Sequence, residues 1–301
     1  MSQFSLQWKI NSQNTGKWVR EFLQEQHISK RALTDIKFKG GRIMVNNEDV
    51  TVRYPLRQGD QLVVHFPVEE PSAGIKGEEI PLDIIYEDEC TIVVMKPAGM
   101  NTIPSREHPG GSLANALIGY YERIGLNATV HIVTRLDRDT SGIVLVAKHR
   151  HIHHLLSEQQ RMGTIERKYE AFAHGLFLES EGRIEASIGR KNDSIIERVV
   201  CEDGQYAVTN FRVKKSFTQF TWLELQLETG RTHQIRVHLS YIGHPLLGDD
   251  LYGGNLDQME RQALHCRKIS FVHPFRQKRL EFTADLPWDM KELLLDASQI
   301  E

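Results

Sequence analysis

Over residues 13–68, apolar positions recur first at helical and then at strand spacing. Trp18, Phe22 and Leu23 fall on one helical face, and a second helical stretch runs from Lys30 to Phe38, with Ser29 placed to cap it and Gly40 and Gly41 to end it. Ile43, Met44 and Val45 predict a strand that enters a turn at Asn46 and Asn47. Residues 61–66 predict another after the Gly59-Asp60 turn. The outcome is a helix, helix, hairpin unit, small for an independent core. Residues 1–12 read as an N-terminal extension to it, and 69–79, with Pro71, Ser72, Ala73 and Gly74, as a linker.

The pattern changes from Ile80 onward. Residues 83–88 and 91–96 predict a hairpin, Ser112 is placed to cap a helix through Ile118, and 143–147 is a continuous apolar strand followed by a helix over 149–162. Strands then dominate, at 168–173, 183–188, 207–213, 221–227 and 279–283, interrupted by turn residues and a helix over 230–241. Runs of strands with few crossover helices predict an α+β fold for 80–301: a mixed, largely antiparallel sheet with flanking helices.

Charge sharpens the division. The net charge is only −3, from 37 Lys and Arg against 40 Asp and Glu, yet residues 17–42 carry seven basic and three acidic side chains, whereas 67–95 carry one basic and eight acidic. A basic face joined to an acidic stretch fits a phosphate-contacting module on a differently charged body, although two ordinary solvated faces account for it equally well. Cys90, Cys201 and Cys266 form no close pair, so they predict neither a disulfide framework nor a zinc ribbon. The N-terminus lacks a secretory apolar core and the apolar runs are strand-sized, which leads us to expect a cytoplasmic protein without membrane contact.

Two polar clusters stand out. In Arg135-Leu136-Asp137-Arg138-Asp139-Thr140-Ser141-Gly142, six of eight side chains can hydrogen-bond, and the segment enters the apolar strand at 143. Arginines on both sides of Asp137 would attract and aim its carboxylate, but local sequence alone favours a structural turn in which Asp137 or Asp139 caps and pairs nearby. The second cluster spans Thr229 to His238. Arg231, after Gly230, is suited to a carboxylate, Arg236 and His238 to phosphate, and His233 to orienting the loop; mutual satisfaction of these groups is an equal alternative. His149, His151, His153 and His154 lack the interposed acid of a zinc-protease helix, so we expect no metal there but a solvated or RNA-facing surface. Pro109-Gly110-Gly111-Ser112 has no phosphate-loop frame.

Residues 135–142, followed by Ile143-Val144-Leu145-Val146-Ala147-Lys148, resemble the signature of the RluA-type pseudouridine synthases, which isomerise uridine in ribosomal or transfer RNA. Lys96-Pro97-Ala98-Gly99-Met100, Lys168-Tyr169, the stretch from Leu227 to His238, Gly243-His244-Pro245 and Gly248-Asp249 follow in that family's order. Residues 13–68 are similar to the S4-like α/β RNA-binding domain, with Lys30, Arg31, Lys37, Lys39 and Arg42 matching its phosphate contacts.

The resemblance implies roles. Asp137 matches the essential aspartate, Tyr169 the tyrosine stacked on the base, Arg231 the arginine paired with that aspartate, Leu264 an apolar contact beside the ring, and Arg135 the arginine that helps hold the flipped nucleotide. It also implies RNA as partner, ribosomal RNA ahead of transfer RNA, a monomer, and neither cofactor nor metal. Thr134 departs from the His or Asn common at that position, which predicts altered packing or substrate contact. Two other readings stay open: a non-catalytic RNA-binding or ribosome-assembly protein on the same scaffold, and a carboxylate glycoside hydrolase, for which Asp139 is poorly placed as second acid.

Overall fold

Ser29 accepts a hydrogen bond from the Ala32 amide at 3.1 Å and so starts a helix that buries Leu33 and Ile36 and leaves Lys30, Arg31, Lys37 and Lys39 exposed. That helix belongs to an N-terminal module of the computed structural model, which describes residues 3–69 and 74–300; part of the expected linker, 70–73, lies outside the described residues. The module comprises β1 (Ser5–Lys9), α1 (Val19–Glu25), α2 (Lys30–Phe38), β2 (Arg42–Val45), β3 (Glu48–Asp49) and β4 (Gln61–His65). Its sheet runs in the order β1-β4-β2-β3, and Val19, Phe22, Leu23, Ile36, Leu62 and Val64 fill its core. The expected extension over 1–12 is corrected here. Ser5–Lys9 pairs antiparallel with β4, Leu6 opposite Val64, because Leu6 and Trp8 alternate with polar Ser5, Gln7 and Lys9 and so give the strand one apolar face.

The larger body contains β5 (Asp83–Glu87), β6 (Thr91–Lys96), α3 (Leu113–Ile124), β7 (His131–Ile132), β8 (Ser141–Ala147), α4 (Arg150–Arg161), β9 (Glu166–His174), β10 (Glu181–Glu185), β11 (Ile188–Arg190), β12 (Arg198–Val200), β13 (Val208–Ser216), β14 (Phe220–Leu227), α5 (Gln234–Tyr241), β15 (Leu264–Val272), β16 (Arg279–Thr283) and α6 (Trp288–Ile300). The main sheet runs β10-β13-β14-β9-β15-β8-β6-β5, with β16 added on β15 and β7 on β8; its pairs are antiparallel except β8 with β15. This is the mixed, largely antiparallel sheet that the strand-rich pattern predicts.

Helices cover both faces. Val144 and Val146 of β8 pack with Leu113, Leu117, Ile235 and Leu239 from α3 and α5, whereas Ile143, Leu145 and Ala147 pack with Ile152 and Leu156 from α4. Burial on both sides is why β8 is continuously apolar. Gly142 makes the parallel pairing possible: its φ is +125°, and a Cβ there would lie 2.4 Å from the Cys266 carbonyl oxygen on β15. That crossing sets the loop ahead of β8 directly over the start of β15.

Candidate active site

The loop 135–140 is tied down on several sides. At its entrance Thr134 is buried and its hydroxyl accepts the Leu145 amide at 2.9 Å, so the departure at this position is absorbed as packing against β8. Leu136 donates its amide to the Thr102 hydroxyl, which in turn donates to the Leu136 carbonyl at 2.6 Å. Lys96, fully buried at the end of β6, donates to the carbonyls of Pro97, Met100 and Arg138 at 2.7–2.9 Å. Burial lowers its pKa to about 7, against the opposing charges of Asp139 and Asp137. Three carbonyl acceptors call for three N–H donors, so the ammonium is the form that fits. Beyond the turn, Ser141 bonds His265 at 2.9 Å.

Held this way, the loop leaves Arg135 and Arg138 on the surface and turns Asp137, its side chain 27% exposed, toward α5. The nearest guanidinium is that of Arg236, 3.5 Å from the carboxylate; His233 Nε2 lies at 3.9 Å. Arg236 is buried and bidentate to Asp249 at 2.7 and 2.8 Å, with the Tyr252 ring 4.9 Å away. Burial works to lower the Arg236 pKa, but its bonds to Asp249 and the Asp249 and Asp137 charges outweigh this and raise it. His233 stands in the left-handed region with φ +55°, its Nδ1 2.7 Å from the Tyr252 hydroxyl, and burial lowers its pKa.

Three expectations for this segment are corrected. Arg231 does not pair with Asp137: its Nε donates to the Tyr206 carbonyl at 3.0 Å, because Gln234 accepts from the Arg231 amide and the Thr229 hydroxyl and fixes the turn with Arg231 facing outward. Arg236 is not free for phosphate, since its donors face Asp249 and Asp137. His238 is wholly buried between the Thr209 hydroxyl and the Ala186 carbonyl, each at 2.9 Å, and cannot reach a phosphate.

The structure does bring Tyr169 and Leu264 together. They lie on adjacent strands β9 and β15 in one apolar cluster with Leu136 and Cys266, each only 4% exposed, and burial pushes the Tyr169 hydroxyl up. The arrangement is a partly open carboxylate on a rigid loop, a buried guanidinium beside it and apolar side chains alongside: it can present an anion to an electrophilic carbon while a flat ring rests on the walls. Lys30, Arg31, Lys37, Lys39 and Arg42 are exposed in the N-terminal module, but Lys39 pairs with Asp35 and Arg42 with Asp49.

Sequence reasoning named Asp249 only as part of a motif and missed its pairing with Arg236, along with Tyr252; the cue was a buried-type helix start, Gln234-Ile235-Arg236, whose arginine needs an acid partner. It also misplaced the histidine cluster. His149 stacks on Phe4 at 3.9 Å and His151 on Phe66 at 5.2 Å, forming the seam between module and sheet, and burial lowers both to about 4. A cleft of about 1090 Å³ opens along this seam, lined by Arg31, Lys39, Arg150 and His154 among others. Asp88, Cys90 and His273 come close enough to suggest a metal site. Two of the three are already committed: Asp88 accepts from the Tyr86 and Thr91 hydroxyls, the Cys90 and Thr91 amides and His273, and His273 Nδ1 accepts from the Phe275 and Arg276 amides, while burial pushes the Cys90 thiol up to about 12. Burial would raise Asp88, but these bonds outweigh it and hold it at about 2.

The model of the RNA pseudouridylate synthase family matches residues 90–241. A Bacillus subtilis protein described as an uncharacterized RNA pseudouridine synthase, YjbO, is 55% identical over 276 residues, covering 92% of this chain and 98% of its own. Ribosomal large subunit pseudouridine synthase D of Yersinia pestis is 39% identical over 267 residues, 84% of this chain and 82% of that one. Human RNA pseudouridylate synthase domain containing 4 shares the fold, with a TM-score of 0.59 over 72% of this chain and 93% of its own at 24% identity. Likeness of that extent and identity is decisive: the chain belongs to the RNA pseudouridylate synthase family, and the protein is an RNA-modifying isomerase.

Proposed function

We propose that the protein converts specific uridines of structured large-subunit ribosomal RNA to pseudouridine in the cytoplasm, with Asp137 as the nucleophile. The reaction breaks N1–C1′, turns the freed uracil and forms C5–C1′; C5 then loses its proton and N1 gains one. The change is redox-neutral and needs only positioning and charge placement. Asp137 attacks C1′ of the sugar as N1 leaves, as carboxylates do in retaining glycosidases, and C5 of the turned uracil then displaces the carboxylate from C1′, which frees Asp137 again. Arg236, anchored by Asp249, holds the attacking carboxylate in line. Tyr169 and Leu264 wall the extruded base, and Arg135, exposed on the same loop, fills the gap left in the stack.

The N-terminal module acts as an S4-like RNA-binding domain, with Lys30, Arg31 and Lys37 as its available phosphate contacts. The observation that carries the reading is the Asp137–Arg236 contact on a loop fixed by Lys96 and Thr102. Ribosomal RNA is favoured because relatives such as the Yersinia pestis protein are named for the ribosomal large subunit. The test is to map pseudouridines in ribosomal and transfer RNA from cells with and without the gene. Loss of a large-subunit site that the purified protein restores on a transcript supports the reading; loss confined to transfer RNA overturns the substrate choice.

A further inference from the structure

We infer that Arg261 and Asp289 form a positioning pair through which the C-terminal helix sets the geometry of the Asp137 loop. The inference rests on the reading of Asp137 as nucleophile. Arg261 lies just before β15 with its side chain 12% exposed. Its Nε and Nη2 take both oxygens of Asp289, in the first turn of α6, at 2.7 and 3.0 Å. Its Nη1 faces the carbonyls of Asp139 and Gln262, both at 3.0 Å, and of Leu264 at 3.4 Å.

One planar group thus joins three things: the backbone two residues past Asp137, the strand end that carries Leu264, and a helix remote from both in sequence. The surrounding structure is shaped for it. Gly248, with φ +70°, lies so close to the Arg261 carbonyl that a Cβ would sit 2.0 Å from its oxygen. Met290, beside Asp289, is fully buried in the apolar cluster of Phe172, Phe220 and Leu247, which fixes the helix end. Neighbouring Gln262 bonds the Thr140 hydroxyl at 3.3 Å, so the loop is gripped again one residue further on.

A lysine has one compact charge where arginine has a rigid fork, and cannot hold Asp289 and the Asp139 carbonyl together. Small displacements of a nucleophile cost rate far more than binding, up to roughly 100-fold per ångström. The test uses the full-length protein and single-turnover conversion of a uridine-containing transcript at saturating enzyme, with RNA affinity and melting temperature measured alongside. Arg261→Lys should slow conversion about 10- to 100-fold, with affinity within about twofold of wild type. Asp289→Asn, at a site 42% exposed that leaves every backbone bond of Arg261 in place, should slow it about 3- to 10-fold, and the double variant should match Arg261→Lys because the two act as a unit. If Arg261→Lys does not fold, Asp289→Asn decides. Variants that melt earlier but convert bound RNA at the wild-type rate would overturn the inference. An Asp137→Asn control separates the two claims: turnover retained there defeats the reading of Asp137 itself, whatever Arg261 does.

Discussion

On the proposed function, the loop that carries Asp137 and the helix that carries Lys30, Arg31 and Lys37 meet opposite demands of one RNA. Around Asp137 the backbone is bonded by the buried Lys96 and Thr102 and by the half-buried Arg261. Along α2 the cations stand in solvent, and among the described residues Lys30, Arg31 and Lys37 have no carboxylate partner, although Lys37 lies 4.8 Å above the Phe38 ring. Chemistry at one carbon requires a fixed anion, because reorganisation during the reaction would cost rate. Phosphate contact is non-directional and screened by salt, so reach matters more than rigidity. The molecule spends its buried polar bonds where the first requirement applies.

The comparison breaks most sharply at the pair beside Asp137. Arg236→Ala should remove about 3–5 kcal/mol of stability by leaving Asp249 buried without its partner, and should cut turnover at least 100-fold in the protein that remains folded. Arg231→Ala should leave stability and the rate on bound RNA within about threefold, since it faces the Tyr206 carbonyl. Chemical denaturation and single-turnover assays on both variants check this; a reversed ranking would restore the pairing that motif position alone suggests.

The seam between the two regions should fail with acid. His151 falls from 6.5 to about 4 because it is buried, packed near His154 and His27 and stacked on Phe66. Between pH 6.5 and 4 the unfolded chain therefore takes up a proton that the folded one refuses. Stability is full above 6.5, declines by on the order of 3 kcal/mol for this residue down to about pH 4, and levels off below. A melting series over that range, with His151→Phe flattening the slope, tests it. The gentlest expected effect lies on α2: Lys30→Ala with Lys37→Ala should weaken RNA binding and reduce the slope of log affinity against log salt by roughly 0.7–0.9 per contact, with the rate on bound RNA unchanged.

The same contrast explains what could be read from the chain. Helix starts at Ser29 and Ser112 were legible because capping is local chemistry, and β8 because burial on both faces leaves an unbroken apolar run. β15 was not legible as a strand: its interior Arg267-Lys268 interrupts the apolar pattern, and its partners are β8 and β9, far away in sequence. α6 went unseen for a related reason, since its anchor Asp289 is defined by Arg261 and not by its neighbours. Motif order singles out Tyr169, Leu264 and Asp137 as candidates, and it carries residue identity but not direction. Arg231 and Arg236 sit in one motif, and only the Gln234 bonds to Thr229 and Arg231 decide which of them turns inward.

The most direct test of the account is single-turnover conversion of uridine to pseudouridine by wild-type and Asp137→Asn protein on the same ribosomal RNA transcript, with RNA affinity measured in parallel. The account predicts that the substitution, which keeps the side-chain shape and removes its charge, lowers the rate by about 10⁴-fold or more while affinity stays within a few-fold. Wild-type conversion by Asp137→Asn would contradict it and move the chemistry to another residue.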